Sequence, residues 1–164
     1  MQFAHPQQEE TYRRVEEYLL EFFDDPFHDE ENGHFYVRYG STVLEISVDP
    51  YGPKEAVVKI MSYCVQGAEV DEKLLKNLLE LNHNLVFGAF SVVGDDVFFS
   101  HSLFGRTLEA RDLLGAIAAV ADIADEYDDR IVARFGGQTA LERIQDTGGR
   151  RRRGGGLGEV RDDR

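Results

Sequence analysis

The chain has 164 residues, of which 42% are hydrophobic, and this length suits a single domain with a sizeable core. Its formal net charge is −13, and a body this acidic repels phosphate backbones, which argues against a nucleic-acid-binding core. No apolar run approaches the ~20 residues that cross a bilayer, and the single cysteine, Cys64, excludes an internal disulfide. We therefore expect a cytoplasmic protein with no membrane partner.

Hydrophobic periodicity predicts eight elements in the order α-β-β-β-α-β-β-α. Runs of hairpin-linked strands favour an α+β fold, a twisted antiparallel sheet with flanking helices. The third strand is apolar on both sides, so we expect it to be covered on both faces. Asp71 and Thr107 are the expected N-caps of the second and third helices. The predicted elements are Gln7 to Phe23, His34 to Tyr39, Thr42 to Val48, Ala56 to Val65, Asp71 to Asn82, Leu85 to Val93, Val97 to Leu103, and a long helix from Thr107 to Gly136.

A dense leucine stripe runs along the predicted second helix, formed by Leu74, Leu75, Leu78 and Leu79. One interpretation is ordinary core packing. The other is a dimer seam, because the first and third helices can already cover one sheet face and a third apolar helix needs another surface. A homodimer supplies that surface with two-fold symmetry. Both interpretations stay open at this point.

Candidate catalytic or metal-binding residues occur in three segments. The loop from His28 to His34 contains two histidines and three acidic residues, but it lacks the closing Glu of a calcium loop, and a solvated loop explains it. In Ser100-His101-Ser102, adjacent strand residues point to opposite faces, so His101 is poorly placed to act as a base toward either serine. Cys64 lies in an apolar strand and is expected to be a core residue rather than a reactive thiol. We expect no enzyme, no catalytic residue, no metal and no cofactor.

Residues 147–164 differ in composition from the rest of the chain. They hold six arginines, three acidic residues and six glycines, a net charge of +3 that leaves −16 on residues 1–146. Such a segment cannot bury apolar surface, so we predict a domain over 1–146 and a disordered Gly/Arg-rich tail over 147–164. The run Arg150 to Arg153 has two interpretations: a weak contact with nucleic acid or an acidic partner, or a solubilising tail.

Several packing and turn segments resemble those of the YbjN-like family, which is structurally related to the class I type III secretion chaperones such as CesT. The resemblance covers most of the chain, from about Tyr12 to Gly137. The segments that carry it are Leu78 to Asn82, Val86 to Ser91, Gly94 to Phe99, Ala121-Asp122, Asp125 to Asp128 and Phe135 to Gly137.

The resemblance implies a small, acidic, non-enzymatic and usually dimeric protein that holds a client polypeptide in extended form. By position, Leu74, Leu75, Leu78 and Leu79 would lie near the dimer seam. The first helix and the sheet would present the client surface, with Tyr36, Met61 and Tyr63 as contacts. The expected function is that of a chaperone-like homodimer whose partner is a client protein or peptide. The alternative is a regulatory or stress-response adaptor whose arginine tail contacts nucleic acid or an acidic partner.

Overall fold

The computed structural model describes residues 2–40, 42–140 and 142, and the backbone of 158–159. The eight predicted elements are present in the predicted order, and three short strands add to them. The elements are α1 (Pro6–Phe22), β1 (Phe27–Asp29), β2 (His34–Tyr39), β3 (Thr42–Tyr51), β4 (Glu55–Gln66), α2 (Glu72–Asn84), β5 (Ala89–Val93), β6 (Asp96–Phe104), α3 (Ala110–Phe135), β7 (Gln138–Thr139) and β8 (Gly158–Glu159).

All the long strands belong to one sheet with the order β1-β2-β3-β4-β6-β5 and antiparallel neighbours throughout. The two-residue β7 pairs antiparallel with the end of β4, and β8 pairs parallel with β2. The predicted α+β class with an antiparallel sheet and flanking helices is confirmed. The predicted tail lies outside the described residues apart from Gly158 and Glu159.

The helix starts follow local capping chemistry, with one exception to the sequence prediction. The Asp71 carboxylate accepts a hydrogen bond from the Leu74 amide at 2.8 Å, which confirms Asp71 as the N-cap of α2. Thr107 as the N-cap of α3 is wrong. Backbone bonds form a turn from Gly105 to Leu108 first, and the helix begins at Ala110 after Glu109, which makes no side-chain cap. Burial of Leu108 in the core fixes this delayed start.

The core lies between one face of the sheet and the helices α1 and α3. Ring contacts tie both helices to this covered face: Tyr12 of α1 packs on Phe35 at 4.9 Å between centroids, and Tyr127 of α3 packs on Phe90 at 5.6 Å. Each fully buried aliphatic or aromatic side chain contributes about 1.5–3 kcal/mol relative to exposure. The fully buried side chains of the covered face include Phe35, Val37, Leu44, Ile46, Val58, Ile60, Val97 and Phe99.

The expectation that β4 is covered on both faces is wrong. Residues Val58 and Ile60 are buried under the helices, whereas Met61 and Tyr63 point the other way and are only half-buried. The apolar run near the end of the strand has a different cause, since a bulge between Tyr63 and Val65 lets both Cys64 and Val65 enter the core. Among the described residues no helix is long and apolar enough to span a membrane.

Candidate functional site

The face of the sheet opposite the helices is the candidate site, and we call it the open face. Strand register places five residues in one row across it, from β2 through β3, β4 and β6 to β5: Tyr36, Glu45, Met61, Ser100 and Ala89. The next row brings Tyr63 beside Phe98, with ring centroids 4.8 Å apart. No described helix packs on these side chains, so the open face presents aromatic rings and a thioether to its surroundings.

The three residues predicted to contact a peptide therefore lie together. Tyr36, Met61 and Tyr63 come from β2 and β4, separated by the single strand β3. All three are intermediate in exposure, which leaves part of each side chain available for contact. This is the arrangement that alternation along each strand predicts once the two strands share a sheet.

Glu45 is the organising residue of the open face, and sequence reasoning did not find it. Its side chain is 12% exposed and accepts hydrogen bonds from the hydroxyls of Tyr36 at 3.2 Å and Tyr63 at 3.4 Å. Its other oxygen lies 2.9 Å from Nδ1 of His34. A polar residue between Leu44 and Ile46 was visible in the sequence, but only the strand register shows which rings surround it.

The two tyrosine hydroxyls remain proton donors over the whole physiological range. Burial raises the pKa of Tyr36 to about 12, and the nearby Glu45 carboxylate adds to that shift. Burial, and then Glu45, also raises the pKa of Tyr63. Because each hydroxyl is held by a carboxylate, the rings are fixed in orientation while their apolar edges stay available for contact. This fixing reduces the entropy lost when a partner binds.

A second aromatic group lies at the far end of the open face. Tyr51 and Phe104 are both more than half exposed, and their rings meet edge to face at 6.1 Å. Val57, which pairs with Phe104 in register, adds a third apolar side chain to this group. Between this group and the Tyr36 row lie Ser47, Lys59 and Ser102 in one register row. The open face thus alternates apolar and polar bands along the strands.

Side-chain amides cover two stretches of the sheet edge. The Gln8 amide donates to the Val48 carbonyl at 2.9 Å. Asn82 acts like a neighbouring strand, because its side chain donates to the Phe90 carbonyl at 3.1 Å and accepts from the Phe90 amide at 2.7 Å. Unpaired edges invite uncontrolled strand addition, so these caps protect the sheet. Neither residue was singled out from the sequence.

The leucine stripe of α2 is divided by the fold. Leu74 and Leu78 are buried in the core of their own chain, while Leu75 is 43% exposed and Leu79 is 70% exposed. Val86 and Phe87, in the connection from α2 to β5, are also exposed. Core packing therefore accounts for two of the four leucines. The other two leave apolar surface exposed on the outer side of α2.

The remaining candidates from the sequence are separated by the fold. His28 lies on the covered face, where its Nε2 is 2.5 Å from the Tyr12 hydroxyl, whereas His34 lies on the open face beside Glu45, so they do not form one metal site. Burial raises the pKa of Cys64 to about 12, so its thiol is not a nucleophile at neutral pH. His101 packs against Phe87 at 5.6 Å between ring centroids, and burial lowers its pKa.

Comparison with models of protein families gives a match over most of the chain. Residues 9–143 match the family described as T3SS (YopN, CesT) and YbjN peptide-binding chaperone 1. The matched range contains β1 to β7, α2 and α3, and all of α1 except its first turn, so it includes the whole open face. The comparison with curated proteins finds no match.

Proposed function

This chain belongs to the T3SS (YopN, CesT) and YbjN peptide-binding chaperone 1 family, and from that premise we propose that it binds an extended segment of a client protein on the open face. The observation that supports this proposal is that Tyr36 and Met61 in one row and Tyr63 in the next lie half-buried on a sheet face that no described helix covers. Binding of this kind needs no bond-making chemistry, and we propose a non-enzymatic role.

The composition of the open face suits varied client sequences. Met61 is flexible and polarisable, so it adapts to side chains of different shape. Tyr36 and Tyr63 combine a large apolar ring with a hydroxyl that Glu45 holds in place. The strong negative charge of the chain keeps such an exposed apolar surface soluble.

The position of α1 narrows the proposed contact surface. The first helix was expected to share the client surface with the sheet, but α1 packs on the covered face. Its outer side and the open face therefore look in opposite directions. We propose that the open face alone forms the primary contact.

The test uses an array of immobilised short peptides with aliphatic, aromatic, basic and acidic compositions. We expect the full-length chain to bind a subset rich in apolar residues. The triple variant Tyr36→Ser, Met61→Ser, Tyr63→Ser should bind that subset at least about a hundredfold more weakly, because each truncation removes about 1 kcal/mol or more of contact. Leu20→Ser on the exposed side of α1 is the matched control and should bind like wild type.

Equal binding by the triple variant and wild type would refute the open face as the site. A loss with Leu20→Ser of the same size would move the site to α1. Circular dichroism of each variant must show the wild-type spectrum before its binding is compared, because a loss of fold would also remove binding.

We further propose that two copies of the chain associate through the outer side of α2. Leu75 and Leu79 are exposed on this side of α2, Val86 and Phe87 are exposed in the connection that follows it, and two-fold symmetry lets the same residues serve both copies. Lys76 and Glu80 form a polar margin through an i,i+4 ion pair. Leu74 and Leu78, the other predicted contacts, support this surface from within the core.

Sedimentation velocity at micromolar concentration tests the dimer. The wild-type chain should sediment as a dimer, and Leu79→Asp should sediment as a folded monomer because it introduces a charge into the shared apolar contact. Leu20→Asp, an equally disruptive change on an exposed leucine of α1, should leave the dimer intact. A monomeric wild-type chain, or a Leu79→Asp variant that stays dimeric, would refute the proposal.

A further inference from the structure

The outer edge of β2 is completed by two different segments of the same chain. β1 pairs antiparallel with His34 to Tyr36. Beyond that point, the backbone of Gly158 and Glu159 pairs parallel with Val37 and Arg38. The second segment comes from the basic tail, more than a hundred residues away in sequence.

The register of the β2–β3 hairpin shows which backbone groups face this edge. Tyr39 pairs with Thr42 across a two-residue connection, so Tyr39 and Val37 direct their N–H and C=O groups toward β3. The Arg38 backbone therefore points to the outer edge, where β8 lies. An edge backbone of this kind is a template for an added strand.

Other edges of the sheet are protected in a different way. Gln8 bonds the Val48 carbonyl and Asn82 bonds both backbone groups of Phe90, and both amides are built into helices that the core holds in place. At Val37 and Arg38 the covering group is instead a backbone strand from a glycine-rich segment. Glycine weakens a strand, so this pairing is suited to release.

Electrostatics favours return of the tail after release. Residues 147–164 carry +3, whereas residues 1–146 carry −16, so the acidic body attracts the basic segment. The covalent link also gives the tail a high effective concentration at β2. Charge attraction and the covalent link both favour the paired state of the tail at this edge.

We propose that the outer edge of β2 at Val37 and Arg38 is a strand-addition site whose resident occupant is the chain's own tail. An extended client segment must displace this occupant to extend its contact from the open face onto the sheet edge. The tail is thus an intramolecular competitor that lowers the apparent affinity for a client. This regulatory meaning rests on the proposed function, whereas the docking of the tail on β2 does not.

The full-length variant Gly158→Pro tests the docking. In a parallel pair the residue opposite Arg38 directs its N–H and C=O away from β2, so the Gly158 backbone, and not the Glu159 backbone, faces the ladder. Proline has no N–H and disrupts this ladder, while the net charge of the tail is unchanged. Hydrogen exchange of the Arg38 amide should be severalfold faster in Gly158→Pro than in wild type. Gly148→Pro, a change in the same tail outside the paired residues, should leave the exchange rate unchanged.

A synthetic peptide of residues 147–164, labelled with a fluorophore, then measures competition in trans. We expect it to bind Gly158→Pro about fivefold more tightly than wild type, which corresponds to a resident tail that fills about four-fifths of the sites. The same peptide carrying the proline should bind neither chain. Equal affinity of the peptide for both chains would overturn the proposal.

Two further outcomes distinguish strand addition from simple charge attraction and from the client-binding proposal. If the proline-containing peptide binds as well as the parent, the attraction is purely electrostatic and strand addition is refuted. If the tail docks as described but the peptide array binds nothing, the client-binding proposal fails and the docking of the tail stands.

Discussion

The two faces of the sheet are built from the same strands and yet carry opposite kinds of side chain. The covered face is made of fully buried residues such as Phe35, Ile46 and Ile60 under α1 and α3. The open face sets Tyr36, Met61 and their neighbours around a single carboxylate. Because successive residues point to opposite sides, one strand contributes side chains both to the core and to the open face. A substitution at one position of a strand can therefore alter stability, while a substitution at the next position alters the surface proposed for recognition.

The sharpest test of this separation compares two neighbours on β4. Ile60→Ala should destabilise the fold by about 3 kcal/mol, because it leaves a cavity in a site with no exposed surface. Met61→Ala should cost less than about 1 kcal/mol, since the half-exposed Met61 leaves no sealed cavity. Urea unfolding of both variants gives the difference. Similar losses in the two variants would mean that the open face is also packed against something.

A second test concerns the polar centre of the open face. Glu45→Gln removes the charge that two tyrosine hydroxyls and His34 share, and it should cost about 1.5–3 kcal/mol, the range for a hydrogen bond to a charged group. Glu30→Gln, on an exposed loop residue, is the control and should stay within about 0.5 kcal/mol of wild type. No loss of stability with Glu45→Gln would show that the network does not fix the rings.

The smallest expected effect lies at the polar margin of the covered side. Asp128 of α3 borders a cavity with Ser62 and Thr139, and burial raises its pKa to about 6, with the carboxylates of Asp129 and Asp125 adding to the shift. A raised pKa in the folded state means that the protonated form is favoured there. Its contribution to stability is therefore complete below about pH 4 and is lost as the pH rises through 6.

Asp128→Asn should accordingly be more stable than wild type at pH 7, by about 1 kcal/mol after allowance for solvent screening of this half-buried group. The gain should disappear near pH 4. Thermal unfolding from pH 4 to pH 8 measures it, with Asp122→Asn on the exposed side of α3 as the control. A gain that does not depend on pH would show that charge at Asp128 is not the cause.

The α2 leucines show what helical periodicity can predict and what it cannot. Helical spacing correctly predicts an apolar stripe, but it does not distinguish which of the four leucines are buried and which are exposed. The fold buries Leu74 and Leu78 and exposes Leu75 and Leu79, because the position of α2 beside β5 sets which part of the stripe meets the core. No local pattern contains that position, since it depends on residues far apart in sequence.

Sequence alone determined the order of the main elements, the antiparallel sheet and the common side of Met61 and Tyr63 on β4, because helical and strand periods are local properties. Only the tertiary structure decided that β4 is covered on one side, that Glu45 joins two tyrosines, and that Gln8 and Asn82 close sheet edges. These features depend on strand register and on where each helix packs. Both are set by contacts between distant residues, which no window along the chain contains.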